Sequence, residues 1–234
     1  MIFDFKEGEV LLVDKDPDWT SFDVVKSIRN SILKTLNQKK IKVGHAGTLD
    51  PLATGLLIIC TGKKTKQIDL YQGADKIYEG VITLGGIRPS YDMETEITES
   101  FDTSKINEKE INKTAKLFEG EILQTPPMYS AVKIDGVRAY RLARENQEVK
   151  LKQRQIKIHY FQITKIEIPD VYFKIKCSKG TYIRSLARDF GLELNNGAYL
   201  KSLRRTHIGE FCVDDALKVN KIKEIIAASR PKSD

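Results

Sequence analysis

The chain is poor in the residues that staple or metallate a fold: three cysteines, three histidines and a single tryptophan in 234 residues. Cys60, Cys177 and Cys212 stand far apart in apolar or strand-like sequence, and no Cys-x-x-Cys pair occurs. This argues against a zinc site and against a disulfide framework, and leaves buried free thiols as the expectation. No apolar run approaches the roughly 20 residues that cross a bilayer. The start, Met1-Ile2-Phe3-Asp4-Phe5-Lys6-Glu7, lacks the basic-then-apolar layout of a secretory signal. A cytoplasmic protein with no membrane partner is expected.

What is present is ordinary in kind: 41% hydrophobic and 30% charged residues, with length enough for one large domain or two small ones. The net charge of +7 favours a polyanionic partner without specifying one.

One stretch is unusual. Gly44-His45-Ala46-Gly47-Thr48-Leu49-Asp50-Pro51-Leu52-Ala53-Thr54-Gly55 sets a single carboxylate among three glycines and beside a proline, ahead of the apolar run Leu56–Cys60. Glycine admits positive φ and close approach, and proline fixes φ. Such a turn suits either a positioned functional acid or an Asp that caps a helix or closes an Asx turn.

Elsewhere the local signals are structural. Val10–Val13 reads as a strand before the polar turn Asp14–Asp18. Thr20 and Asp23 have capping-box spacing ahead of Val25, Ile28, Ile32 and Leu36, one face of a helix. Lys39, Lys40 and Lys42 are either a solvated face or phosphate contacts. Gly62-Lys63-Lys64-Thr65 looks like the tail of a phosphate loop, but Leu57 stands where the first glycine is needed and Lys64 follows Lys63, so an ATP site is rejected. Thr65 is instead expected to open a short helix ending at Gly73. Residues 74–85 alternate as a strand, with Tyr78, Ile82 and Leu84 on one face. Asn107 and Glu110 cap a helix over residues 106–120. Residues 156–168 and 171–178 read as paired strands, and residues 214–228 as a helix. If Thr181 is an N-cap, Arg184 sits at N3, where a cation is disfavoured by about 0.3–1 kcal/mol unless an acid offsets it. A buried carboxylate is therefore its expected partner.

The glycine-rich stretch around Asp50 closely resembles the signature of the TruB family of tRNA pseudouridine synthases. Four further segments resemble family motifs in the same order. Lys15 and Thr20-Ser21 match an Asp-Lys-Pro-x-Gly-x-Thr-Ser pattern, although Asp16 and Asp18 replace its Pro and Gly. Asp75-Lys76-Ile77-Tyr78 resembles the second motif. Lys179-Gly180-Thr181-Tyr182-Ile183-Arg184 and Leu203-Arg204-Arg205 resemble later ones. No site residue is carried over from Arg88-Pro89-Ser90-Tyr91-Asp92.

The resemblance implies an α+β pseudouridine synthase fold, a mixed, largely antiparallel sheet flanked by helices with the active-site cleft across it. It implies one catalytic domain over residues 1–234, without the RNA-binding PUA domain of many relatives. It implies conversion of uridine 55 in the tRNA T-loop to pseudouridine. Asp50, Tyr78 and Arg184 become the catalytic residues, with Arg184 as partner of Asp50; His45, Tyr182 and Leu203 become substrate contacts. A basic region over about 125–155, with Arg138, Tyr140, Arg141, Arg144, Lys150, Lys152 and Arg154, would grip tRNA. The reaction involves no redox or group-transfer chemistry, so no cofactor and no metal are expected, and the protein is expected to be a monomer. The alternatives are a guide-RNA-dependent synthase of the same fold and a tRNA chaperone without chemistry.

Overall fold

The computed structural model describes residues 3–130, 133–134, 136–144 and 151–229. They divide into two compact units, the first made of residues up to Ile77 and from Arg204 onward, the second of Tyr78–Leu203. In chain order the elements begin with β1 (Val10–Lys15), α1 (Ser21–Thr35), β2 (Val43–His45), β3 (Thr54–Thr61), α2 (Ile68–Gly73), β4 (Lys76–Leu84), β5 (Gly86–Ile87), β6 (Glu99–Ser100) and α3 (Glu108–Leu117). They continue with β7 (Gly120–Gln124), β8 (Lys133–Ile134), β9 (Val137–Arg138), α4 (Ala139–Arg144), β10 (Arg154–Glu167), β11 (Asp170–Cys177) and α5 (Ile183–Glu193). Then come β12 (Ala198–Ile208), β13 (Phe211–Cys212), β14 (Leu217–Lys218) and α6 (Val219–Ala228). The class is α+β, with mixed sheet flanked by helices.

In the first unit the strand order is β14-β1-β3-β12, with β2 added to β3 and β13 to β12. β1 and β3 are antiparallel, whereas β14 runs parallel to β1 and β12 parallel to β3. The unbroken apolar run of β3 is buried on both faces, which is what such a run predicts for a central strand. Leu57 and Ile59 pack with Val24, Ile28 and Ile32 of α1 and Ile222 and Ile226 of α6. Leu56, Ile58 and Cys60 pack with Ala46, Ile208 and Val213. α1 starts where its cap says it should. Thr20 accepts from the Asp23 N–H at 3.0 Å, and the Asp23 carboxylate accepts from the Thr20 N–H at 3.0 Å, a pair worth on the order of 1 kcal/mol.

The second unit has the order β12-β4-β11-β10-β7. Its core holds a cluster of rings, Phe118, Phe161, Phe173 and Phe190, with centroids 5.6–6.5 Å apart in tilted and edge-on pairs. Gly80 lets β4 approach β12 closely, since a Cβ there would lie 2.4 Å from the Ser202 carbonyl oxygen. The α3 capping box of Asn107 and Glu110 forms as read from the sequence.

Three local expectations are corrected. The residues before Gly73 form a 3-10 turn from Gly62 and only then α2, because the Thr65 hydroxyl donates back to the Gly62 carbonyl at 2.8 Å rather than capping a new helix. The C-terminal helix begins at Val219, not at residue 214. Residues 213–215 form a 3-10 turn, and Leu217-Lys218 is drawn into β14 by the open edge of β1. Cys60 and Cys177 are buried, but Cys212 is half-buried, its thiol and the Asp214 backbone forming a local turn. Burial pushes the Cys60 thiol up to about 11, with Lys64 opposing. Within the basic region, β8 and β9 pair as a short hairpin and α4 follows. Arg154 belongs to β10, opposite Gln124 of β7. Lys150 lies outside the described residues.

Candidate active site

His45 and Asp50 lie in the first unit; Tyr78, Tyr182, Arg184 and Leu203 lie in the second. The two sets are built differently.

Asp50 sits in a turn between β2 and β3, closed by the Ala53 N–H on the Asp50 carbonyl at 3.1 Å. The chain leads from this turn into β3, so the helix-cap reading of Asp50 falls. Gly47 and Gly55 have φ of 93° and 101°. A Cβ on Gly55 would lie 2.3 Å from the Arg205 carbonyl oxygen, so glycine is obligatory where β3 enters beside β12.

Three side chains from other elements grip the main chain of this turn. Ser21, at the start of α1, accepts from the Leu49 N–H at 2.9 Å and donates to its carbonyl at 3.3 Å. Arg205, in β12, donates to the carbonyls of Leu56 (2.7 Å), Gly47 (3.1 Å) and Thr48 (3.5 Å). Lys15, at the end of β1 and fully buried, donates to the carbonyls of Pro51 (3.0 Å), Trp19 (2.8 Å) and Asp16 (2.9 Å). The turn is thus shaped through its backbone, with two buried cations around it.

Burial pulls Lys15 down from its ordinary 10.5 to about 8, and Arg205 adds to that, while Asp50, Asp16 and Asp18 hold the proton on. Burial likewise lowers the His45 imidazole, and Arg205 reinforces the shift against a backbone bond at Gly47. The ring is therefore neutral at pH 7.

The N-terminal motif carries its departure from glycine in a left-handed residue. Asp18 stands at φ 63°, the left-handed conformation a glycine would supply, and its N–H donates to the Pro51 carbonyl at 2.9 Å. Asp is among the few residues that tolerate this region.

In the second unit, α5 is capped by Tyr182, not Thr181, so Arg184 is the second helical residue rather than the third. The Thr181 hydroxyl donates instead to the Ser178 carbonyl at 2.9 Å, closing the turn at Gly180. Gln124 pins Tyr182 by bonding both its N–H and its carbonyl, at 2.8 and 3.0 Å. Arg184 is 4% exposed and donates to the carbonyls of Tyr129 (2.9 Å) and Ser90 (3.2 Å). Its Nε lies 3.5 Å from the buried carboxylate of Asp92. The expected buried acid therefore includes Asp92, which the sequence did not single out.

The segment carrying Asp92 is strapped in place. Arg88 stacks on Tyr199 with 4.6 Å to the ring centroid and donates to the Thr95 carbonyl. Arg188 stacks on Tyr91, whose own φ is 61°. No local periodicity in the sequence exposes Asp92; the left-handed Tyr91 beside it is visible only in the structure. Tyr78 is buried on β4, while Leu203 and Tyr182 are half-buried.

Known proteins resemble the chain over most of its length. A family model described as TruB family pseudouridylate synthase (N terminal domain) matches residues 34–183. The chain is 50% identical over 222 residues to the tRNA pseudouridine synthase B of Flavobacterium johnsoniae, covering 94% of this chain and 97% of that one. It is 48% identical over 220 residues to the protein of the same name from Phocaeicola vulgatus, covering 94% of each. Among solved structures, it resembles a chain of a Cbf5–Nop10–Gar1 complex with a TM-score of 0.70 and 30% identity, covering 94% of this chain and 54% of that one. A chain from an H/ACA RNP bound to a substrate RNA containing 2'-deoxyuridine gives 0.68 and 29%, and here too this chain spans about half, 53%, of its length.

Proposed function

We propose that this chain, which belongs to the TruB family of pseudouridylate synthases, isomerises uridine 55 in the T-loop of tRNA to pseudouridine, with Asp50 as its catalytic carboxylate. The tRNA substrate is taken from the names of relatives about 50% identical over nearly their whole length. The observation that carries the role of Asp50 is the grip on its turn. Ser21, Lys15 and Arg205 fix Gly47, Thr48, Leu49 and Pro51 by their main-chain groups, a construction that holds the residue between them in place.

The reaction breaks the N1–C1′ bond and forms a C5–C1′ bond; N1 gains a proton and C5 loses one, so atoms balance without a second reactant. The uridine must leave its stack, at a cost of a few kcal/mol. Tyr78 receives the base by stacking and can move the proton from C5. Leu203 and Tyr182 wall the pocket, and neutral His45 contacts the T-loop. Asp50 acts ionised, as nucleophile or charge stabiliser, with Arg184 as the cation that serves it. The hairpin and α4 in the basic region, with Arg138, Arg141 and Arg144, contact tRNA phosphates.

The likeness to a Cbf5 chain keeps a guide-RNA-dependent synthase as a second reading. One experiment separates the readings: incubation with an unmodified tRNA transcript, no guide present, followed by mapping of pseudouridine. Wild-type protein should modify position 55. Asp50→Ala should lose at least ~10³-fold in rate, the scale expected for a nucleophile or key charge, while tRNA affinity changes less than about threefold. Binding without modification by the wild type would leave the guide-dependent and chaperone readings, and equal rates for wild type and Asp50→Ala would remove Asp50 from the chemistry.

A further inference from the structure

Two stretches that the catalytic reading leaves unused, the lysine run Lys39–Lys42 and the Gly62-Lys63-Lys64-Thr65 segment, converge in the first unit. Lys40, Ile41 and Lys42 of the first and Gly62, Lys63 and Thr65 of the second line one cavity of about 330 Å³, together with Lys6, Gln38 and Lys66. None of the lining residues belongs to the Asp50 turn. We propose that this cavity is a second RNA contact, a pocket that takes backbone phosphates of the RNA substrate.

The charge is one-sided. Lys6, Lys40, Lys42, Lys63 and Lys66 bring five ammonium groups to the rim. The Glu7 carboxylate pairs with Lys63 at 2.7 Å and so offsets one of them. Among the described residues, the side chains of Lys6, Lys40, Lys42 and Lys66 have no ion pair. All four are exposed, so each retains a mobile ammonium in water. Clustered like charges repel by an amount an arriving anion would relieve.

The floor is fixed even though the lysines are not. The Gly62 N–H donates to the Lys42 carbonyl at 2.9 Å and the Lys63 N–H to the Lys6 carbonyl at 3.3 Å, joining three segments of chain. Gly62 has φ of 50°, and a Cβ there would lie 2.2 Å from the Lys6 carbonyl oxygen, so the segments meet as closely as backbone allows. The stems of the lysines and Ile41 supply the walls.

The chemistry selects a phosphate chain. The rim offers point charges on flexible stems, with neither an arginine fork nor an aromatic ring to read a base. That suits sequence-independent contact with a nucleic-acid backbone. The volume is at the low end for small-molecule sites, and the phosphate-loop pattern needed for a nucleotide is broken at Leu57 and Lys64. This inference rests on RNA being the substrate.

The test compares wild type with Lys40→Gln/Lys42→Gln/Lys66→Gln, three exposed changes whose melting curve serves as the folding control. Binding of an unmodified tRNA transcript is measured across a potassium chloride series, and pseudouridine formation at saturating transcript. The triple variant should bind about tenfold or more weakly at 0.1 M salt. Its slope of log affinity against log salt should be shallower by about 2, since each phosphate contact contributes roughly 0.7–0.9. The rate at saturation should be unchanged. Unaltered affinity and slope would overturn the proposal. So would millimolar inorganic phosphate or ATP raising the melting temperature of the wild type alone while tRNA affinity stayed equal, which would make the pocket a small-anion site. A wild type that binds transcript with the full salt slope but modifies nothing would instead defeat the proposed activity and leave the pocket standing.

Discussion

Among the described residues, the most deeply buried guanidinium of each unit is satisfied in a different way. Arg205 in the first unit is 1% exposed and sends its hydrogen bonds to three main-chain carbonyls, those of Leu56, Gly47 and Thr48. Arg184 in the second unit is 4% exposed and combines two carbonyls with a carboxylate, Asp92, at 3.5 Å. The first pattern uses a cation as a frame: it fixes where backbone runs and keeps its own position by doing so. The second uses surrounding groups to fix a cation, which suits the role proposed for Arg184. A buried arginine is therefore not one kind of evidence; what it is bonded to separates a cation that fixes backbone from a cation that is itself fixed.

Arg205→Met offers the largest contrast. It preserves bulk but leaves three carbonyls without their donor, at about 1–3 kcal/mol for each that stays dry. A loss of about 3 kcal/mol or more in urea unfolding is expected, with activity falling alongside because the Asp50 turn loses its frame. A loss below about 1 kcal/mol would break the distinction between the two arginines from the stability side.

Arg184→Met should cost less stability for its effect on catalysis. Removing it strands the Asp92 carboxylate, at about 2–4 kcal/mol, and Asp92→Asn in the same chain should recover about 1–2 kcal/mol of that in a double-mutant cycle. Arg184→Lys keeps the charge and loses the fork, so kcat should fall tenfold or more with KM changed little. Restored folding without restored turnover in Arg184→Met/Asp92→Asn would sharpen the view of Arg184 as a working charge.

The smallest and most specific effect concerns pH. Lys15 resembles Arg205 in donating only to carbonyls in its described hydrogen bonds. Burial depresses its folded value to about 8 from 10.5. Between those values the unfolded chain binds more protons than the folded one, so this group makes stability rise with pH from about 8 to about 10.5. Its neutral amine has two donors for three carbonyls, so activity should decline over the same range as the turn loosens. Urea unfolding at pH 7 and pH 10 should show a pH-dependent gain in the wild type that is absent in Lys15→Met. Equal pH slopes for the two proteins would mean that Lys15 is not the titrating group.

Much of this molecule is legible along the chain because its causes are local. The caps at Thr20 and Asn107, the doubly buried β3 and the alternation of β4 follow from spacings of a few residues. The Asp50 turn stood out by its glycines and proline. What could not be read was contact between distant segments. Arg205 meets the Gly47 carbonyl across 158 positions, and Ser21 meets Leu49 across 28. Nor could β14 be foreseen, since Leu217-Lys218 becomes a strand only because β1 offers it an edge. Asp92 was passed over for the same reason: its burial beside Arg184 depends on the left-handed Tyr91 and on two arginines stacked against neighbouring rings.

The amino-acid order by itself determined the class of fold, most strand and helix positions, the family to which the chain belongs and the identity of its unusual acid. These depend on residue type and short spacing, which folding does not alter. Only the tertiary structure decided that Lys15 and Arg205 are buried framing cations, that Asp92 lies against Arg184, and that two separate lysine segments enclose one cavity. Those outcomes depend on which surfaces are removed from water together, and burial is a property of the packed chain rather than of any window along it.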